Sequence, residues 1–379
     1  MTSTRLKVAV VGLGVGRNHL EAYRSLPELF EVRAVCDSDP ERLNGGGASW
    51  TAADPHELLG DARRILRMEE LLGCDDIDLV DLCTPPNTHL ALAQQALAAG
   101  KHVVCEKPLV GSLAEADALE AAAAAARSRL FPVFQYRFGN GLQKLLHLRA
   151  KGLARHALLS VVETHWRRDS DYYAVPWRGK WATEMGGVCL TQAIHAHDML
   201  TCVLGPVKSV YARLATRVND IEGEDCAAIV LQMGDGSPAV LSATLGAAAE
   251  SSRLKFVFDD MTVEGGSASP YRPGEEPWHF KGKSAAIDAA IAQALSDFAP
   301  GPESFAGQLA RIHATLTTGA LPPVSLADAR ASLELITAIY HSGASGEPVT
   351  LPISGDHPKY ANWQPAAGGF PKALAHHGR

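Results

Sequence analysis

The chain has 379 residues, 46% hydrophobic and 20% charged, an ordinary globular composition with room for two domains that each bury a core. Its formal net charge of −7 and pI near 6.1, with no stripe of Lys or Arg, argue against nucleic acid and against an anionic membrane surface as partners. No apolar run approaches the roughly 20 residues of a membrane-spanning helix.

The opening Met1-Thr2-Ser3-Thr4-Arg5 leads directly into a strand, as in a chain without a signal peptide. That strand is the β-branched run from Leu6 to Val11, and Gly12-Leu13-Gly14-Val15-Gly16-Arg17-Asn18-His19 follows at once. A strand, a glycine turn and a helix from about Asn18 to Leu26 form the setting of a dinucleotide fingerprint. Glycines admit a pyrophosphate to the backbone, and the first N–H groups of the helix face it. Gly12, Gly14 and Gly16 are therefore candidate cofactor residues. The spacing is GxGxG, with Arg17 in the third glycine position of GxGxxG.

The next strand, Val32 to Cys36, ends in Asp37. A carboxylate there can accept bonds from an adenosine ribose and repels a 2′-phosphate, which favours NAD while leaving NADP possible. Arg42 can stack on adenine or meet a phosphate. The other reading of Asp37-Ser38-Asp39-Pro40 is a turn with no ligand. Residues 45–53 read as a Gly/Ala/Ser-rich loop and Arg63 to Leu72 as a helix.

Asp78 to Cys83 reads as a strand that runs into Thr84-Pro85-Pro86-Asn87-Thr88-His89. A helix from Leu90 to Ala99, closed by Gly100, leads to the strand around Val103-Val104 and then to Cys105-Glu106-Lys107-Pro108. Both strand ends point at one rim of a parallel sheet, the rim where open α/β sheets bind ligands. Thr84, Pro85, Asn87, His89, Glu106 and Lys107 are candidate cofactor residues on that ground, and Lys107 is also a candidate catalytic group. Its other reading is a surface lysine capping a loop. An Ala-rich helix, Leu113 to Leu130, and a strand, Phe131 to Arg137, complete a doubly wound dinucleotide-binding domain over residues 1–135.

From about Gly152 the pattern changes to strands that all read as antiparallel: Leu158 to Trp166, Val207 to Ala215, Cys226 to Met233, Ala239 to Gly246 and Leu254 to Phe258. Helices are read over Met185 to Val203 and Ser325 to Gly343. After Gly186-Gly187, a helix places Thr191, His195 and Asp198 on one face, with His197 off it and structural or exposed. Thr191 and Asp198 are candidate substrate contacts. His195 reads either as a catalytic proton acceptor or as a core histidine bonded to a backbone carbonyl. Upstream, Trp177 and Arg178 sit among Tyr172, Tyr173 and Trp181, a set that suits the faces and hydroxyl rims of a sugar ring. The same set suits a lid or a subunit contact. Gln135-Tyr136-Arg137 either reaches the cleft or anchors a hinge. This second domain is read over 136–353, followed by a tail, 354–379, that includes His376-His377. The seven cysteines, with no CxxC spacing, read as buried thiols in a reducing cytoplasm, with no disulfide and no metal site expected.

Four of these motifs, Gly-Leu-Gly at 12–14, Cys-Thr-Pro-Pro-Asn-Thr-His at 83–89, Glu-Lys-Pro at 106–108 and Gly-Gly…His at 186–195, occur in one order along the chain. Together they resemble the glucose–fructose oxidoreductase / inositol dehydrogenase / rhizopine-catabolism (Gfo/Idh/MocA) family, from Leu6 to about Ile353. The resemblance implies an N-terminal Rossmann domain followed by a domain with a large, mostly antiparallel open sheet and helices on one face. A wide sheet with one uncovered apolar face has to be hidden, so a homodimer or homotetramer through that sheet is expected. The resemblance also implies NAD or NADP as cofactor and a carbohydrate or cyclitol as substrate, with Lys107 and His195 at the site. Thr191 stands where the family carries a carboxylate, and a threonine cannot hold His195 as an ion pair. Removing hydride from a secondary alcohol requires a base for the hydroxyl proton, a role that suits the Lys107–His195 pair. Two other readings stand beside this dehydrogenase: a retained cofactor that drives elimination or glycoside cleavage, and a non-catalytic sensor.

Overall fold

Short runs rich in apolar residues become the inner strands of a parallel sheet, buried on both faces, with a more polar strand at its edge. In the computed structural model, which describes residues 5–47, 51–266, 270–365 and 370–371, these strands are β1 (Leu6–Val11), β2 (Phe30–Cys36), β3 (Arg63–Ile65), β4 (Leu79–Leu82), β5 (His102–Cys105) and β6 (Leu130–Pro132). All pair in parallel, in the order β3-β2-β1-β4-β5-β6. The order reverses beside β1, so the carboxyl ends of β1 and β4 flank the switch point where such sheets take ligands.

Two expectations are corrected in this region. Arg63 to Leu72 is not one helix. Its first residues pair with Ala34–Cys36 as an edge strand, and only Met68–Leu72 is helical. The strand expected to run to Arg137 stops at Pro132, and Gln135–Phe138 forms a 3₁₀ turn. The loop at 45–53 is described apart from residues 48–50, which lie outside the described residues.

The chain divides into two compact units, Met1–Phe134 with Phe305–Ala329, and Gln135–Ser304 with Arg330–Arg379. The second domain is therefore not the continuous stretch 136–353 read from the sequence. Gln308, on the helix Ser304–Thr318, accepts from the Phe134 N–H at 3.1 Å and donates to the Pro132 carbonyl at 2.7 Å. Leu309 and Ile312 from the same helix join the core built on Val8, Val10 and Leu20. Burial of that apolar face, which no local pattern announces, assigns the segment to the first unit.

The second unit holds β7 (Ala157–Arg167), β8 (Val207–Ala215), β9 (Cys226–Met233), β10 (Pro238–Thr244), β11 (Gly246–Phe258), β12 (Met261–Gly265), β13 (Trp278–Gly282) and β14 (Val349–Thr350). They form one sheet ordered β13-β12-β11-β7-β10-β9-β8-β14. It is mostly antiparallel, as expected, but β7 and β10 run parallel with Val161 opposite Val240. On β9, Ala227, Ile229, Leu231 and Met233 are buried while Ala228, Val230 and Gln232 are exposed. That alternation marks a sheet with helices on one face.

The helix expected over 185–203 is broken into Val188–Thr191 and Ile194–Leu204, so Thr191 and His195 do not share one helical face. Gly187 starts the first piece because nothing larger fits: a Cβ there would lie 1.8 Å from the Glu224 carbonyl oxygen. That carbonyl accepts from the Val188 N–H at 2.8 Å, and Glu224 Oε1 accepts from the Cys189 N–H at 2.9 Å and from the Tyr340 hydroxyl at 3.2 Å. Glu224 thus holds the start of the segment that leads to His195. The C-terminal stretch is no separate tail where it is described. Trp363 is buried and donates to the Met185 carbonyl at 2.8 Å, and Phe370 stacks on Tyr340. His376-His377 lies outside the described residues. All seven cysteines are free of disulfides, and among the described residues no helix is long and apolar enough to cross a membrane.

Burial pushes the Glu224 carboxyl up to about 7 from its ordinary 4.5. Because the folded value exceeds the unfolded one, this group's contribution to stability is complete below pH 4.5 and is lost as pH rises through 7. The loss amounts to about 3 kcal/mol. Glu224→Gln should flatten the fall in Tm measured from about pH 4.5 to 8. An equal slope in the variant would assign that fall to other groups.

Candidate active site

Gly12 turns the chain at the end of β1 with φ of +89°, and a Cβ there would come within 2.6 Å of the Cys83 carbonyl oxygen at the end of β4. Only glycine serves at such a position. Asp37, just past β2, reaches over this turn: Oδ2 accepts from the Leu13 N–H at 2.7 Å and Oδ1 from the Asp39 N–H at 2.9 Å. The Arg42 guanidinium stands 3.3 Å from where a Gly14 side chain would begin, and Gly16 packs on Val10 and Cys83. A carboxylate and a guanidinium thus flank a glycine turn that opens a helix. This donor set fits the ribose and phosphates of NAD. Arg17 is fully buried, and its guanidinium bonds the carbonyls of Gly46 and Gly47. In the third fingerprint position it buttresses the neighbouring loop.

Thr84, Pro85 and Asn87 lie on the rim after β4. The Thr88 hydroxyl bonds Thr84 at 2.7 Å and the Pro85 carbonyl at 2.7 Å, and Asn87 is exposed. His89 is turned away from this rim. Its ring is buried, with Nε2 2.9 Å from the Thr84 carbonyl and Nδ1 2.9 Å from the Pro108 carbonyl. Burial lowers its pKa even against those two carbonyls. The His89 side chain therefore ties the two rim loops together.

Glu106 is likewise directed inward. Its Oε1 lies 3.0 Å from His19 Nε2 and its Oε2 accepts from the Lys107 N–H at 2.9 Å. His19 Nδ1 lies 2.8 Å from Asp81 Oδ2, which also accepts from the Tyr23 hydroxyl at 2.9 Å. Burial works against charge on His19, but the Asp81 carboxylate and the Cys83 sulfur together hold its pKa well above the ordinary value. His19, Tyr23 and Asp81 were not singled out from the sequence. A histidine and a tyrosine four apart on one helix face were the only local signal. Lys107 itself is half-buried at the carboxyl end of β5.

In the second unit, His195 is buried on Ile194–Leu204 and stacks on Tyr136, with centroids 4.3 Å apart and planes inclined by 27°. Asp198, a candidate substrate group, forms instead a buried bidentate pair with Arg137, at 2.7 Å from Nε and 2.6 Å from Nη2. Tyr136 and Arg137 thus set the helix that carries His195. His197 is buried too, and burial lowers its pKa to about 3, so it is a neutral core residue.

The Thr191 hydroxyl lies 2.8 Å from the Gly187 carbonyl and also beside Gln192 Oε1, two acceptors for its single proton, and Gln192 Nε2 donates to the Tyr172 hydroxyl at 3.0 Å. Trp177 and Arg178 belong to that same cluster. The Arg178 guanidinium lies 3.9 Å from the Tyr172 ring centroid, 4.4 Å from that of Trp177, and pairs with Glu184 at 3.3 Å. Arg168, 5.0 Å from the Tyr172 ring centroid, pairs with Glu250 at 3.2 Å. Cations stacked on aromatic faces and neutralised by carboxylates make a rigid, amphipathic wall. Glu184 and Arg168 were not singled out from the sequence.

Residues 6–134 match the model of an oxidoreductase family with an NAD-binding Rossmann fold, and residues 158–264 match the GFO/IDH/MocA C-terminal domain. D-apiose dehydrogenase of Paraburkholderia graminis is 27% identical over 366 residues, which covers 92% of this chain and 91% of the relative. Myo-inositol 2-dehydrogenase of Thermotoga maritima is 28% identical over 246 residues, covering 62% of this chain and 67% of the relative. The crystal structure of the WlbA dehydrogenase from Bordetella pertussis in complex with NADH and UDP-GlcNAcA superposes with a TM-score of 0.77 at 26% identity, covering 92% of this chain and all of that one, 100%. With both family domains matched in sequence, and a six-stranded parallel sheet followed by an eight-stranded mixed one, the chain belongs to the Gfo/Idh/MocA oxidoreductase family and carries its NAD-binding Rossmann fold.

Proposed function

We propose that the protein is a dehydrogenase that moves hydride between NAD and a ring secondary hydroxyl of a sugar, sugar derivative or inositol. The observation that carries this reading is Lys107, half-buried at the carboxyl end of β5 with its amide held by Glu106. It is supported by relatives named as D-apiose and myo-inositol 2-dehydrogenases and by a structural neighbour solved with UDP-GlcNAcA. When bound, the nicotinamide supplies the hydride acceptor. The rest is proton chemistry, and the chain provides it.

A secondary alcohol is too weak an acid to lose its proton unaided. Lys107 bonds the reacting hydroxyl and stabilises the negative charge that develops on its oxygen. His195 accepts the proton or relays it, its ring plane fixed by Tyr136. Thr191 cannot form an ion pair with His195, and its hydroxyl bonds the Gly187 carbonyl. Trp177 and Arg178 offer the substrate an aromatic face with a cation, and Asp37 at the glycine turn favours NAD over NADP. The seven free cysteines fit a reducing cytoplasm.

The exposed face of the second sheet is proposed to meet a second copy of the chain, giving a homodimer or homotetramer. Leu158 is 54% exposed and Val230 52%, with Val240 opposite Val230 across the strand pair. Single exposed apolar residues are ordinary, but a row of them across paired strands is a docking surface.

A panel of sugars and cyclitols, offered with NAD and with NADP and followed at the NADH absorbance band, tests the substrate class. Absence of reduction with every member would overturn the dehydrogenase reading. Lys107→Met should lower kcat by at least roughly a hundredfold while NAD affinity, measured by calorimetry, stays within a few-fold. Lost NAD binding would make the lysine a cofactor anchor. Val230→Glu should halve the mass found by sedimentation, or reduce it further, and an unchanged mass would place the interface elsewhere.

A further inference from the structure

We propose that His19 is a positioning residue for Lys107, acting through Glu106. The inference rests on the reading above, in which Lys107 bonds the reacting hydroxyl. His19 enters from the first turn of the helix Gly16–Arg24 with Nδ1 2.8 Å from Asp81 Oδ2 and Nε2 3.0 Å from Glu106 Oε1. Ionised carboxylates only accept hydrogen bonds. An imidazole satisfies two of them only as imidazolium, with a proton on each nitrogen.

The polar neighbours of the ring support that state against the cost of burial. Asp81 has both oxygens engaged, Oδ2 also by the Tyr23 hydroxyl at 2.9 Å and Oδ1 by the Cys83 thiol at 3.4 Å, so it anchors the far edge of the ring. Phe305, from the helix Ser304–Thr318, lies against the ring at a centroid distance of 4.2 Å and keeps water out. The groups facing the ring are thus Asp81 from β4 and Cys83 just after it, Tyr23 from its own helix, Glu106 after β5, and an apolar phenyl ring.

The consequence falls on Glu106. With Oε1 tied to His19, Oε2 stays over the Lys107 N–H at 2.9 Å. On the other side of the lysine, His89 Nδ1 lies 2.9 Å from the Pro108 carbonyl. The backbone from 106 to 108 is held from both flanks, which fixes where the Lys107 side chain starts. A loosened clamp leaves the ammonium present but often misdirected, and a displacement of about an ångström at a reacting group can cost roughly a hundredfold in rate.

The test joins a readout of the clamp to one of catalysis. In ¹⁵N-histidine-labelled wild-type chain, both His19 ring nitrogens should remain protonated throughout the pH range, centred at about 6.5, in which an ordinary histidine titrates. The Lys107 amide should be protected from hydrogen exchange. His19→Gln and Glu106→Gln, checked for folding by circular dichroism, should each speed that exchange at least roughly tenfold and lower kcat by roughly ten- to a hundredfold, with the NAD dissociation constant within a few-fold. A His19 ring that titrates near neutrality overturns the proposal, and so does a folded His19→Gln with wild-type kcat and unchanged Lys107 exchange. If the variants do not fold, the wild-type ring titration and amide protection decide. If wild-type chain oxidises no member of the panel, the dehydrogenase reading fails, while ring titration and exchange still decide whether His19 holds the lysine loop.

Discussion

A histidine ring with a carboxylate at each nitrogen governs the first unit. His19 joins the helix after the glycine turn to β4 through Asp81 and to the loop after β5 through Glu106. All three side chains are buried, and burying an ionisable group is costly unless every charge finds its partner. Here both carboxylates share the one imidazole, and neutral donors complete them: Tyr23 and Cys83 bond Asp81, and the Lys107 amide bonds Glu106. Such a network adds less to stability than apolar packing of the same volume would, but it tolerates only one arrangement of the segments it joins. Those segments carry the fingerprint and the lysine.

Much of the first unit was legible because its signals are local. The Leu6–Val11 run, the glycine turn, Asp37 at the end of β2 and Lys107 past β5 each follow from residues adjacent in sequence, and the structure sets them along the carboxyl ends of the parallel strands. The network beneath them was not legible. His19 is separated from Asp81 by 62 residues and from Glu106 by 87, and no periodicity spans such distances. Arg17 shows the same limit. As a motif position it looked like a departure from the fingerprint, whereas its buried guanidinium supports the carbonyls of Gly46 and Gly47. For Arg63–Ile65, edge pairing with β2 outweighed a helical pattern, since backbone groups that reach a ladder prefer it to an isolated turn.

In the second unit the errors come from long-range packing. Hydrophobic spacing over 185–203 predicts one helix, but the close approach of Gly187 to Glu224 starts a short piece that ends before His195. Alternation identified the central strands, but it carries no direction, so the parallel pairing of β7 with β10 could not be read from it. Phe305–Ala329 follows the second unit's strands in sequence, yet its apolar face completes the core around β1. Only the buried surface decides that membership.

Motif membership and ligand contact are separate properties, and burial distinguishes them. Glu106 and His89 sit inside recognisable motifs and Asp198 just past one, and each has its polar atoms turned inward: to His19 and the Lys107 amide, to two rim carbonyls, and to Arg137. Lys107, Thr84 and Asn87 in the same first-unit motifs retain exposure. A motif therefore records a contact residue together with the support that aims it, and the support requires equally specific chemistry because a buried polar group without its partner is penalised. A substitution at an inward-facing position therefore strips a buried polar group of its partner.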